Sequence, residues 1–142
     1  MAKRFHVSRT IDAPIQVVWG LLADASGYTI WNPTIVSLEG TIAPGETISL
    51  VSTVNPKRAF KLKVTEMSAP YRMVWSSGMP LGLFSGVRTF ALNQQGDSTD
   101  FQMTEEYSGA LAGLITKSIP DMSDSFEQFA DGLKMAAEGS NA

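Results

Sequence analysis

The sequence predicts an α+β domain in which a curved antiparallel sheet of about seven strands wraps around one long C-terminal helix. Three observations carry this reading. Residues 35–108 divide into six strand-like runs separated by short turn-rich breaks, which makes neighbouring strands antiparallel. Residues 110–138 instead carry apolar side chains at spacings of three and four, the stripe of an amphipathic helix. No other long element offers a matching face, so the sheet has to curl around that helix to bury its own.

The elements follow in order. FHVSRTI (5–11) alternates Phe5, Val7 and Ile11 against His6, Ser8 and Thr10, a strand in which Arg9 is the exception. Pro14 suits a first helical turn, and Ile15, Val18, Trp19 and Leu22 form the stripe of a short helix that Ser26-Gly27 ends. YTIWNP (28–33) adds a second short helical turn before Pro33. Strands are expected at 35–42, 46–54, 59–67, 71–77, 83–93 and 99–108. The breaks fall at Pro44-Gly45, Asn55-Pro56, Ala69-Pro70, Gly78 to Gly82, and Gln95-Gly96-Asp97. Phe60, Leu62 and Val64 oppose Lys61, Lys63 and Thr65, so one sheet face is covered and one is wet. The last stripe is Leu111, Ile115, Ile119, Met122, Phe126, Phe129, Leu133 and Ala136. Pro120 interrupts it, which predicts a short helix before and the main helix starting there, with Asp121, Asp124 and Glu127 in its first turns. The tail GSNA (139–142) is expected to fray.

Composition narrows the function. A chain of 142 residues suits a single domain, 1–142, able to bury a core without staples. With no cysteine there is no disulfide, thiolate nucleophile or Cys-based zinc site. One histidine, His6 on the polar strand face, and no suitable carboxylate spacing predict no metal, and no phosphate-binding glycine loop points to a cofactor. The net charge of -3 with scattered basic residues argues against nucleic acid. No apolar run reaches the roughly 20 residues of a membrane span, and no signal peptide is evident, so no stable membrane insertion and a cytoplasmic location are expected.

The candidate site starts from a charge in an oily row. In FSGVRTFAL (84–92) the alternation puts Arg88 on one face with Phe84, Gly86, Phe90 and Leu92. The next strand puts Glu105 and Tyr107 with Phe101 and Met103. Paired through the Gln95-Gly96-Asp97 turn, the two strands bring Phe90 near Phe101, and Arg88 near Met103 with Glu105 on its diagonal. A lone buried charge is prohibitive, and a paired one is tolerable. The pair reads either as a satisfied internal ion pair or as an anchor whose guanidinium fork holds a ligand carboxylate, carbonyl or phenol. Glu105 and Tyr107 are the candidates for proton transfer; a carboxylate beside arginine suits a base better than an acid. Trp31, Trp75 and Phe126 read as wall or core. The loop SGMPLGLF (77–84), with Met79, Leu81 and Leu83, reads as a lid, a patch for a partner or membrane surface, or a loop tucked inward.

Several stretches resemble the START-related helix-grip superfamily, in particular its polyketide cyclase/dehydrase-like branch. They are IDAPIQVVWGLLAD (11–24), YTIWNPTIVSLEG (28–40), FSGVRTFAL (84–92), TEEYSGALAGL (104–114) and FEQFADGLKMAAEG (126–139). The chain lacks the Gly-Trp ending of the chaperone-activator-like branch. The resemblance implies a cavity between sheet and final helix for a small hydrophobic or aromatic molecule. The expected function is therefore ligand binding, as carrier or sensor, with Arg88, Glu105, Phe90, Phe101, Met103, Tyr107, Trp75, Trp31 and Phe126 around the ligand. A cyclase- or dehydratase-type enzyme and an interaction module using the 77–84 loop are the alternatives. The sequence leaves the ligand's identity and the oligomeric state open.

Overall fold

The computed structural model describes residues 3–79, 81–115, 117 and 121–140. Seven strands, β1 (Lys3–Ile11), β2 (Ile35–Glu39), β3 (Thr47–Ser52), β4 (Asn55–Ser68), β5 (Arg72–Met79), β6 (Phe84–Gln95) and β7 (Ser98–Ser108), form one sheet in the order β1-β7-β6-β5-β4-β3-β2. Every neighbouring pair is antiparallel. Two short helices, α1 (Ile15–Ala23) and α2 (Tyr28–Trp31), follow β1, and α3 (Ala112–Ile115) precedes the long α4 (Ser123–Ser140).

The alternation read from sequence decides what is buried. Phe5, Val7 and Ile11 of β1, Ile48 and Leu50 of β3, Val64 of β4, Met73 and Trp75 of β5, Phe90 and Leu92 of β6, and Phe101 and Met103 of β7 all join the core. Met122 just before α4 and Phe126, Phe129 and Leu133 on it complete the core, and the last stripe position falls on Ala137, four residues after Leu133, rather than Ala136. Arg9 shares the core-facing parity of β1, which explains the broken alternation. Its Nε donates to Asp131 Oδ1 at 2.9 Å and its Nη2 to Glu127, both on α4. Lys134 Nζ donates to the Thr10 carbonyl at 2.8 Å, and Glu138 accepts from the Asp12 backbone N–H at 2.9 Å. The helix is thus tied to β1 along its polar edge while its aromatic stripe faces the sheet.

Several boundaries differ from expectation. The β3–β4 turn is Thr53-Val54, since Ser52 pairs with Asn55, so Asn55-Pro56 already belongs to β4. The strand expected at 35–42 ends at Glu39, because Gly40 turns the chain at φ 110°. The main helix starts at Ser123 rather than Pro120: the Asp121 carboxylate accepts from the Ser123 backbone N–H at 2.9 Å and from its hydroxyl at 2.7 Å, fixing the entry. Pro120 and Ile119 lie outside the described residues. Gly139 and Ser140 remain in α4 rather than fraying, and residues 141–142 lie outside the described residues.

One irregularity positions the site. The first half of β4 pairs with β3, from Ser52↔Asn55 to Thr47↔Lys63, and its second half pairs with β5, from Lys63↔Ser76 to Ser68↔Arg72. Among the described residues, β4 therefore leaves β5 at Lys63 while β5 continues beside β6 to Met79. The sheet opens along this seam. Across from it, the chain after β7 is laced to the chain before β6: Ala110 N donates to Gly82 O at 3.2 Å and Leu111 N to Leu83 O at 2.7 Å. Gly109 permits that approach, because a Cβ there would lie 2.7 Å from Leu83 O.

Candidate functional site

Arg88, Glu105 and Tyr107 come together on the sheet's inner face. β6 and β7 pair in a register two residues away from the expected one, so Arg88 lies directly opposite Glu105, Phe90 opposite Met103, and Leu92 opposite Phe101. The cause is a tight turn. Gln95 pairs with Ser98, and the Gln94 amide donates to Gly96 O at 2.7 Å and Ser98 O at 2.8 Å, closing a two-residue loop. A two-residue change keeps every side chain on its predicted face.

The pair is bidentate. Arg88 Nε donates to Glu105 Oε1 at 3.3 Å and Nη2 to Oε2 at 3.2 Å, with side chains only 12% and 13% exposed. Tyr107 OH donates to the same Oε2 at 2.7 Å. The guanidinium carbon sits 5.0 Å from the Phe126 ring centre and 5.8 Å from that of Phe129, so α4 covers the cation with aromatic faces. Among the described residues, Arg88 Nη1 has no hydrogen-bond partner. Phe84 stacks on Tyr107 at 5.9 Å, and Gly86 between them in sequence leaves room: a Cβ there would lie 3.3 Å from the Tyr107 ring.

The other candidate residues divide by depth. Trp75 pairs with Arg88 across β5 and β6, and its ring meets Phe90 at 4.7 Å. Phe90, Met103 and Phe101 are fully buried further along the strands, so they pack the floor beyond the polar group rather than beside it. Phe126 meets Phe5 at 5.8 Å. Trp31 stands apart on α2, touching Tyr28 and Phe129 at 4.8 and 5.6 Å. Phe129, Phe84 and Phe5 were not singled out from sequence as ligand contacts; Phe129's spacing of three from Phe126, and Phe84's parity with Arg88, were the available signals. His6 is exposed, with Nδ1 2.9 Å from Thr104 Oγ1 on the outer face. Two surface concavities, of about 620 Å³ between α2 and α4 and about 580 Å³ beside the β6–β7 turn, do not include Arg88.

Both inner phenols hold their protons tightly. Burial, then the neighbouring Glu105 charge and its hydrogen bond, push Tyr107 well above the ordinary 10.0. Burial also raises Tyr28, whose OH donates to Leu22 O at 2.6 Å. Both stay protonated near neutrality, and Tyr107 donates its hydrogen bond to Glu105. The unfolded chain releases these protons near pH 10 while the folded chain keeps them, so stability is full below that pH and falls as pH rises above it. Thermal melts between neutral and strongly alkaline pH should show this fall, and Tyr107→Phe should make it shallower.

A curled sheet gripping a C-terminal helix, with one hydrogen-bonded polar group on the gripped face, defines a helix-grip domain. The chain belongs to the polyketide cyclase/dehydrase and lipid transport family, whose model it matches over residues 2–138, within the START-related superfamily. Solved structures of similar fold include a norcoclaurine synthase point mutant from Thalictrum flavum in complex with a transition state analogue. It has a TM-score of 0.76 and 15% identity, over 100% of this chain and 98% of that chain. A hypothetical protein of Helicobacter pylori gives a TM-score of 0.73 at 14% identity, over 96% and 88% of the two chains. A protein of Arthrobacter aurescens gives 0.75 at 15%, over 96% and 86%. No curated protein matches by sequence. Identities this low establish shared fold alone.

Proposed function

We propose that the domain binds a small hydrophobic or aromatic molecule at the seam, against Arg88, Glu105 and Tyr107, as a carrier or sensor. The observation that carries this reading is the polar group itself. Three hydrogen-bonding side chains form one polar group among the aromatic and apolar side chains of the inner face, on the two strands beyond β5 from the place where β4 parts from it, with the aromatic side of α4 above them. Such a site suits a ring or chain packed on Phe84, Phe126 and Tyr107, with one oxygen taken by the free edge of the guanidinium. A norcoclaurine synthase of this fold, 16% identical, was solved with dopamine and hydroxybenzaldehyde, so the scaffold accommodates small aromatics. Binding is preferred over catalysis because, among the described residues, Glu105 is hydrogen-bonded only to Arg88 and Tyr107, which leaves it without a second carboxylate or imidazole to share proton transfer.

Native mass spectrometry of the purified protein, followed by solvent extraction, tests the proposal. A mass excess that vanishes on denaturation is the expected result, and the extract identifies the ligand class. A clean apo mass, together with no binding of 1-naphthol or 2-naphthoate by titration, would overturn it.

A further inference from the structure

Charge is sorted along the strand axis. The pairings place the starts of β1, β2, β4 and β6 and the ends of β3, β5 and β7 at one end of the sheet, the end where the seam opens. Lys3, Lys57, Arg58 and Lys61 lie on the strands toward that end, and Lys117 follows α3 beside it. Its acids are few: Glu106 is held by Arg4, Asp121 accepts from Ser123, and Asp124 lies in the first turn of α4. The opposite end holds Asp12, Asp97 and Asp100, with Glu66 paired to Arg72. A chain of net charge -3 thus gathers basic residues at one end of its sheet.

The same end carries exposed apolar side chains. Leu81 is 95% exposed, Leu114 68% and Val54 37%. Leu81 is held outward at φ 61°, a backbone that leucine rarely adopts. Leu81 and Leu114 flank the segments that the hydrogen bonds of Gly82 and Leu83 lace together, so they move as one unit.

We propose that this end docks on an anionic bilayer surface, with Leu81 and Leu114 entering the headgroup layer and Lys57, Arg58, Lys61 and Lys117 meeting lipid phosphates. Separate leucines set among cations suit a deformable charged surface better than a rigid protein partner, which would need one contiguous apolar patch. No helix among the described residues is long and apolar enough to cross a membrane, so the attachment is peripheral. It is also independent of what the interior holds.

Co-sedimentation of the full chain with phosphatidylcholine vesicles, with and without phosphatidylglycerol, at low and high salt, tests this. The expected result is binding to the anionic vesicles at low salt that weakens as salt screens the charges. Lys57→Gln/Arg58→Gln should weaken it about fivefold per cation. Leu81→Asn/Leu114→Asn should weaken it at least about tenfold, since two apolar anchors are lost, and asparagine tolerates the left-handed backbone at 81. Tyr71→Ser, an exposed apolar change at the opposite end, should leave binding intact. No sedimentation at low salt, binding that survives both variants, or equal loss on Tyr71→Ser overturns the proposal. So does duplex DNA that competes equally for wild type and the leucine variant, which would make this end a general polyanion site.

Discussion

Replacing Glu105 with alanine is expected to cost about 3–5 kcal/mol of folding stability, because it strands the Arg88 cation in a largely desolvated position. Arg88 has a side chain only 12% exposed, is faced by Phe126 and Phe129, and donates its hydrogen bonds to Glu105 alone among the described residues. The change also removes the acceptor of Tyr107 OH. The double variant Arg88→Met/Glu105→Leu should recover most of that loss, since apolar side chains of similar volume restore packing without an orphaned charge. Urea denaturation reads both. The double variant also separates structure from function: it should remain folded and lose the bound molecule. If it stays folded and keeps its ligand, the polar group is an internal brace and the binding reading is wrong. A single variant within about 0.5 kcal/mol of wild type would show that water solvates the pair after all.

Phe129→Ala should cost a similar amount, about 3–5 kcal/mol, the range for emptying a buried aromatic site. Its ring is 1% exposed and meets Tyr28 at 6.3 Å, Trp31 at 5.6 Å and Phe90 at 6.0 Å, with Arg88 on its other side. It therefore joins α2, the sheet and α4 at one point. Gly132, one turn on, fixes how closely they approach: a Cβ there would lie 2.6 Å from Trp31 O. The helix cannot readily slide to fill the hole, so most of the cavity cost should persist. Phe129→Leu, which refills much of the volume, should cost far less, and a melting experiment on the two variants checks the order. Equal losses would point to disrupted helix docking rather than lost volume.

Much of this was legible in the sequence because alternation survives errors of register. Arg88, Glu105 and Tyr107 share a face whichever even offset is chosen, so the polar group was visible although its pairing was displaced by two. The displacement came from the turn, where the Gln94 side chain closes a loop that Gln95-Gly96-Asp97 advertised as longer. The β3–β4 turn was misplaced for the converse reason. Thr53-Val54 carries no usual turn residue, while Asn55-Pro56 does, and the true turn is supported by a tertiary bond from Thr53 N to Thr34 O. Arg9 was seen only as an exception, since its partners Glu127 and Asp131 lie more than a hundred residues away. The depth of Phe101 below the polar group depends on that same register, which periodicity does not supply.

The divided strand β4 has a mechanical consequence. Its first eight residues, with β3 and β2, form a three-stranded leaf whose ladder pairs stay within the leaf up to Lys63, with Ile35 at its outer strand also bonded to Asn32 O at the end of α2. Swinging that leaf about Lys63 would break no β4–β5 ladder pair; it would disturb the Ile35–Asn32 bond and the buried side chains of Ile48 and Leu50, while Phe60 and Leu62 are already half-exposed. The opposite wall is rigid by comparison, because Arg9, Lys134 and Glu138 tie α4 to β1. The fold thus behaves like a book with one bound cover and one free cover. On the proposed binding reading, the β2–β4 side is where a guest would enter, and the helix that gives the fold its grip would not need to let go.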